Sequence, residues 1–532
     1  MISIAPVRLS RNGEANSTAR PSIDKLRQEV RRASDAVGEY VERSASSTAI
    51  PYFKDFEHGL REPLFALARA AIVLFLALVE HRVMGPMKAR TVQGGRMFRK
   101  APAQARNLGT WFGPVRYWRT YLREMSPNKG RRGFHPLDLA LGLVADRFSW
   151  NVLTVAVRLA SKLAFAEARA TMGLFVPQPP STEVVEQAVL GLGHHVKPWF
   201  NEAPVLEGDG EVLITLVDGK GAPTATQSEL SRRRGKGKQR LKAPSPRHRG
   251  RDKRLRWPSK PRRKKGDKSK NAKMATVVVM YTLRRQGDKL LGPINRRIYV
   301  SFGPKRHAFQ WARDQAARGG FGPGSGKVHQ VLTDGDNHYA PLVAEYFPDA
   351  IHTCDIMHVV EKLWSAGECL FREGSNELGD WVRAQKDRLY SGRIKALLDE
   401  LHSRLDGIPK TGPGNAGKRK RLSAALRYID KRRAKLKYRE LIAQDLEIGT
   451  GMVEGVLNNL VGKRCDHGGM RWIKERCEAL VQLRCVDING EWEAFTHWVH
   501  ERTRRKQEET GTRVRIQTQT AAPLPTVGKA AA

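Results

Sequence analysis

The apolar positions of this chain fall into short continuous runs and into stripes at helical spacing, and the two kinds alternate in a definite order. Residues 211–218 (EVLITLVD) hold six apolar or β-branched residues, end on a lone carboxylate and run into Gly219-Lys220-Gly221. A short apolar run bounded by turn residues predicts a buried strand. The same layout returns at 328–334 (VHQVLTD), ahead of Gly335-Asp336-Asn337. Residues 274–283 (MATVVVMYTL) predict the strongest strand, with further strands over 297–302 and 350–354. Helical spacing predicts helices over 307–318, 338–347, 452–461, 473–487 and 492–506. In the third of these Val453, Leu457, Leu460 and Val461 share an apolar face and Glu454 stands at its rim.

Three strands in a row followed by helix, strand, helix, strand is the order of a ribonuclease-H-like mixed sheet. The expected fold is therefore α/β. It is a ribonuclease-H-like mixed five-stranded sheet with a helical insertion over 359–446, broken by the glycine-containing stretch 407–417. A mostly helical DNA-binding region is expected to precede it. The catalytic domain is then 206–358 joined to 447–487, with 488–532 a C-terminal helix and disordered tail from Gln507.

Upstream, residues 1–50 are polar and read as a frayed helix or disorder, within an N-terminal region over 1–106. A helix is expected over 56–82, apolar nearly all round in its second half and so buried. Its greasiest run, 70–79, has ten residues between Arg69 and Glu80, too few to span a bilayer, so a core or dimer-seam helix and a soluble protein are expected. Residues 85–106 read as a basic loop. Residues 110–121 read as two short strands around a Gly-Pro turn, with Arg116 and Arg119 among aromatics, which suits either phosphate contact or ordinary strand packing. A helix over 155–172, a turn containing Pro177 to Pro180 and a capped helix over 181–192 have the form of a DNA-reading helix-turn-helix, in a DNA-binding region over 107–205. The N-terminus lacks the apolar core of a signal peptide.

Charge sharpens the choice of partner. The 532 residues carry a formal net charge of +40, a self-repulsion that a polyanion relieves. Between residues 231 and 273, 21 Lys plus Arg face two Asp, so about half of the excess lies in one apolar-poor stretch. That insertion is expected to be disordered when free and to lie on DNA, with Arg232, Arg233, Arg234, Lys264 and Lys265 as contacts. Five scattered Cys with no CxxC pair speak against a zinc ribbon and a disulfide framework and fit a reducing compartment.

Two buried strands that each deliver an Asp to one sheet edge suggest a shared metal site. Phosphodiester chemistry with two Mg²⁺ (Mn²⁺ as substitute) needs hard oxygen ligands that hold the ions about 4 Å apart. Asp218, Asp334 and Glu454 are the expected metal and catalytic residues, and Asp336, past the strand, suits turn capping. Asp355 and His358 follow the last strand. They read either as a scaffold or DNA-contact pair beside the metals or as a helix N-cap with a satisfied imidazole. Arg464, Arg471 and Trp472 read either as a phosphate clamp with a stacking indole or as surface Arg with core Trp.

VDGKG (217–221), KMATVVVMYT (273–282), LTDGD (332–336), DIMHVVEKLW (355–364), GTGMVEG (449–455), GGMRW (468–472) and NGEWEAF (489–495) resemble, in that order, the DDE transposases of bacterial insertion sequences, nearest to the Kra branch. The likeness runs from about residue 107 to 500. One departure is LTDGDNHYAP, where many relatives carry a tryptophan-rich segment. The resemblance implies Asp218, Asp334 and Glu454 as the metal triad and Asp355 with His358 as a D-x-x-H signature. It also implies cleavage at terminal inverted repeats and strand transfer into target DNA by a homodimer or higher multimer in the bacterial cytoplasm, on the nucleoid, with no membrane. Two alternatives stand beside it: a catalytically inactive, transposase-derived DNA-binding protein, and an RNA-binding protein or RNA-directed nuclease.

Overall fold

A computed structural model of the chain describes residues 20–93, 96–125, 133–144, 146–230, 272–466 and 470–510. The chain divides into two compact units, one of residues up to 191 and from 496 on, the other of residues 192–495. It is a mixed α/β protein, with one sheet in each unit.

The first unit holds the helices Ile23–Ala45 and Phe53–Met84 and a four-stranded antiparallel sheet in the order β1 (Arg90–Gln93), β2 (Arg96–Thr110), β3 (Gly113–Glu124), β4 (Gly133–Phe134). The region preceding the larger sheet thus carries a sheet of its own beside its helices. The loop expected over 85–106 is largely strand, and the short strands expected at 110–121 are one end of a long hairpin turning at Trp111-Phe112, just before Gly113 at φ +108°. Strand β3 alternates buried Val115 and Tyr117 with exposed Pro114 and Arg116, and its inner face joins Leu76, Leu108 and Leu137 in a core. Arg119 is buried in an ion pair with Asp138, which also faces Arg106 at 3.5 Å. Arg119 thus belongs to the packing of the unit rather than to its surface.

The helix expected to be buried, Phe53–Met84, has only Leu76, Glu80 and Met84 fully buried, while Leu64, Phe75 and Leu78 are exposed. It lies with one side on β3 and another on the helix Ile23–Ala45, which leaves much of its apolar girdle uncovered. Among the described residues it is the one helix long and apolar enough to cross a membrane. The helix expected over 155–172 is two, Trp150–Lys162 and Phe165–Gly173, because Leu163 takes extended backbone dihedrals between them. Thr182–Gly193 starts as expected, with Ser181 Oγ accepting from Val184 N at 3.3 Å. It carries no Lys or Arg and buries Val185, Ala188, Val189 and Leu192, while Thr182 and Glu183 are exposed.

In the second unit a five-stranded mixed sheet has the order β7 (Lys289–Ser301), β6 (Ala272–Gln286), β5 (Val212–Pro223), β8 (Val328–Thr333), β9 (Ile351–Cys354). Strand β6 pairs antiparallel with β5 and β7, whereas β5, β8 and β9 run parallel. The continuous apolar runs follow from this: Leu213 to Val217 and Ala275 to Leu283 are all buried, since helices cover both faces of the sheet. Residues 272 and 273, expected in the disordered basic insertion, already belong to β6.

The expected helical insertion is present as Asn376–Tyr390, Ile394–Asp406, Asn415–Lys431 and Tyr438–Ala443. The chain returns from it along residues 447–450, which are tied to the sheet. Gln330, fully buried on β8, donates to Glu447 O at 2.6 Å and accepts from Glu447 N at 3.1 Å, and Tyr281 of β6 donates to the Glu447 carboxylate at 3.0 Å. The last helix runs Trp492–Thr510 and buries Gln507, so order extends past the point where the tail was expected to begin.

Candidate functional site

The last register pair between β5 and β8 is Val217↔Thr333. Asp218 and Asp334 are therefore the next residue on each of two hydrogen-bonded parallel strands. Strand β5 continues past this point against β6, with Asp218 opposite Val277, while β8 ends and turns away at Gly335. Asp218 Oδ1 accepts from Gly219 N at 2.5 Å and Asp334 Oδ1 from Asp336 N at 2.7 Å. Burial pushes the Asp218 carboxyl up to about 6; the Gly219 N–H opposes this, and the like charges of Asp334 and Asp355 add to it. Asp336 caps the turn, as its place in the sequence suggests: its Oδ1 accepts from His338 N at 3.2 Å, and Lys305 pairs with Oδ2 at 2.6 Å.

Tyr339, one turn further on, was not singled out by sequence reasoning. Its ring is buried, and its phenol is held strongly neutral by burial and by Asp334, Asp218 and Asp336 together. A Cβ on Gly219 would stand 3.5 Å from its hydroxyl, so the glycine after Asp218 lies against this ring. Lys305 sits over the ring at 3.9 Å.

Asp355 is a helix N-cap with a satisfied imidazole beside it, the second of its two readings. It caps the helix Ile356–Gly367 through Met357 N at 3.0 Å, and it also accepts from Thr450 N at 3.2 Å, Thr450 Oγ1 at 2.5 Å and His358 Nδ1 at 2.8 Å. Burial would raise its carboxyl, but these donors outweigh it and hold the group below the ordinary value. His358 is correspondingly raised, first by its bond to Asp355, with the Asp218 charge contributing. Thr450 is the residue before Gly451–Leu457, the helix that bears Glu454, so Asp355 ties that helix start to the end of β9.

Glu454 itself is exposed. Its helix packs on β5 and β6 through Val453, Val456 and Leu457, then widens into a π turn over Asn458–Gly462. Among the described residues no group of three or more His, Cys, Asp and Glu is gathered closely enough to hold a metal ion. Asp218 and Asp334 end adjacent strands, near enough for the Asp334 charge to raise the Asp218 carboxyl, and Glu454 does not join them in such a group.

The third constellation folds inward. Arg464 is only 2% exposed, its guanidinium lies over the Trp472 ring at 4.9 Å, and burial lowers its pKa. Trp472 donates from Nε1 to Cys465 O at 3.1 Å and from its backbone N to Pro223 O at 3.0 Å, which fixes it beside the end of β5. Arg464 therefore holds Trp472 in place rather than facing outward; Arg471 is half-exposed. Arg232, Arg233, Arg234, Lys264 and Lys265 lie outside the described residues. Compared with known proteins, the chain matches no family model and no curated protein.

Proposed function

We propose that this chain is a Mg²⁺-dependent DNA transposase, with a ribonuclease-H-like catalytic sheet that cleaves transposon ends and joins them to target DNA. One observation carries the proposal: Asp218 and Asp334 occupy adjacent strand ends in a sheet ordered β7-β6-β5-β8-β9, and Asp218 is destabilised as an anion there. That strand order, three antiparallel strands followed by two parallel ones, is the one expected of the ribonuclease-H-like fold.

The donor set suits a hard divalent cation. A half-buried carboxylate beside a second one gains from a positive ion what it loses to burial and like-charge repulsion. Asp218 and Asp334 would hold the ion, with Glu454 the third carboxylate available from the following helix. Bound there, Mg²⁺ supplies Lewis acidity for activating a water or 3′-hydroxyl and for stabilising the leaving oxyanion. The chain's own residues do the rest. Gly219 and Asp336 donate backbone N–H groups that orient the two carboxylates, Asp355 fixes the start of the Glu454 helix, and the high positive charge draws in the polyanion.

Asp218→Asn should abolish Mg²⁺-dependent nicking of terminal-repeat duplexes and leave the gel shift intact. The second reading, a DNA-binding protein without catalysis, is favoured by the lack, among the described residues, of three His, Cys, Asp or Glu side chains gathered to hold a metal. It prevails if the wild-type protein, given Mg²⁺ or Mn²⁺, never cuts such DNA.

A further inference from the structure

The turn that carries Asp334 is gripped from a distance by the helical insertion. Tyr428, near the end of the helix Asn415–Lys431, donates from its hydroxyl to Asp334 O at 2.8 Å. Arg432, just past the helix end and only 8% exposed, donates from Nε to Gly335 O at 2.7 Å. Its Nη2 donates to the same carbonyl and, at 3.3 Å, to Asn337 Oδ1. Its Nη1 returns to Tyr428 O at 2.9 Å, and its guanidinium stacks on the Tyr428 ring at 3.7 Å. The two side chains form one unit, closed over Asp334, Gly335 and Asn337 of the turn.

The fit leaves no slack. Gly335 has φ +79°, and a Cβ there would stand 2.5 Å from Tyr428 Oη and 2.6 Å from Arg432 Nε. The glycine after Asp334 is thus required twice, by its left-handed backbone and by the residues pressed onto it. Both Tyr428 and Arg432 act on the peptide groups that follow Asp334 and so bear on the aim of its carboxylate.

We infer that Tyr428 and Arg432 are positioning residues for Asp334, so that the insertion sets the geometry of the carboxylate pair. This rests on Asp334 being a metal ligand, as proposed above. Groups that orient a ligand alter metal affinity by about 10- to 100-fold when removed. A purely structural contact alters stability instead.

The test is Mn²⁺ binding to the full-length protein, read from the paramagnetic resonance signal of free Mn²⁺, with thermal melting measured alongside. Arg432→Ala should weaken Mn²⁺ at least about tenfold. Arg432→Lys, which keeps the charge but not the paired N–H donors, should recover only part of the loss. Tyr428→Phe removes one hydroxyl and should weaken Mn²⁺ less, with melting close to wild type; it carries the test if Arg432→Ala does not fold. Should Asp334→Asn lose Mn²⁺ while Tyr428→Phe and the Arg432 variants bind it like wild type, the positioning role is overturned and the site stands. Should Asp334→Asn itself bind Mn²⁺ like wild type, the metal-ligand assignment falls, and the positioning role with it.

Discussion

Asp218 and two histidines respond to pH in opposite directions, and this makes single residues separable. The Asp218 carboxyl rises from its ordinary 3.8 to about 6, chiefly by burial. The folded state therefore binds more protons than the unfolded state between those values, and stability falls as pH rises through that window. The loss is at most about 3 kcal/mol, less where solvent reaches the group. Burial pulls His329 and His352 from 6.5 down to about 4. They lose stability as pH falls through the same range, because only the unfolded chain takes up those protons. Without divalent ions, Asp218→Asn should expose the histidine slope: urea midpoints falling steadily from pH 6.5 to 4, and above wild type at pH 7. A variant profile that overlays wild type would refute the burial of Asp218. At this scale the two aspartates are legible in sequence, since each ends an apolar run ahead of a glycine. Tyr339, Thr450, Tyr428 and Arg432 are not, because each acts on a partner brought near only by folding. Thr450 meets a residue 95 positions away, and Tyr428 one 94 positions away.

Among elements, what the sequence conceals follows the same logic. Strands β5, β6 and β8 announce themselves because both faces are covered, which makes them apolar throughout. Strand β2 does not: RMFRKAPAQARNLGT reads as a basic loop, since one face is exposed and Pro102 falls where its pairing with β3 shifts register between Ala101 and Gln104. Pairing with β3 makes it a strand. The apolar helix Phe53–Met84 misleads in the other direction, because hydrophobicity without a covering partner does not bury a helix. The return segment to Glu454 depends on one such tertiary fact, the amide of Gln330. That side chain satisfies both backbone groups of Glu447 and bonds Thr353 Oγ1 at 2.9 Å from a fully buried position. Gln330→Leu would strand those groups, so it should cost about 3 kcal/mol. The check is a lowered urea midpoint at unchanged denaturant slope. A midpoint within experimental error of wild type would mean that residues 447–450 are held by other contacts.

For the molecule as a whole, the decisive quantity is charge, and it is fully legible without any fold. A net +40 that is nearly half concentrated in residues 231–273 has no use in a core, and under the proposed function it would serve on a phosphate backbone. Each phosphate neutralised by Lys or Arg releases condensed counterions, so the logarithm of affinity falls with the logarithm of salt by about 0.9 per contact. Replacing Arg232, Arg233, Arg234, Lys264 and Lys265 together by Ala should therefore lower the magnitude of that slope by up to about 4.5, measured by fluorescence anisotropy on duplex DNA between about 50 and 200 mM salt. The loss should be the same for terminal-repeat and unrelated sequences, because phosphate contacts carry no base information. An unchanged slope would remove these five residues from the DNA interface. A larger loss on structured RNA than on duplex DNA would move the protein toward the RNA-directed alternative, because the same cations would then be following a different polyanion.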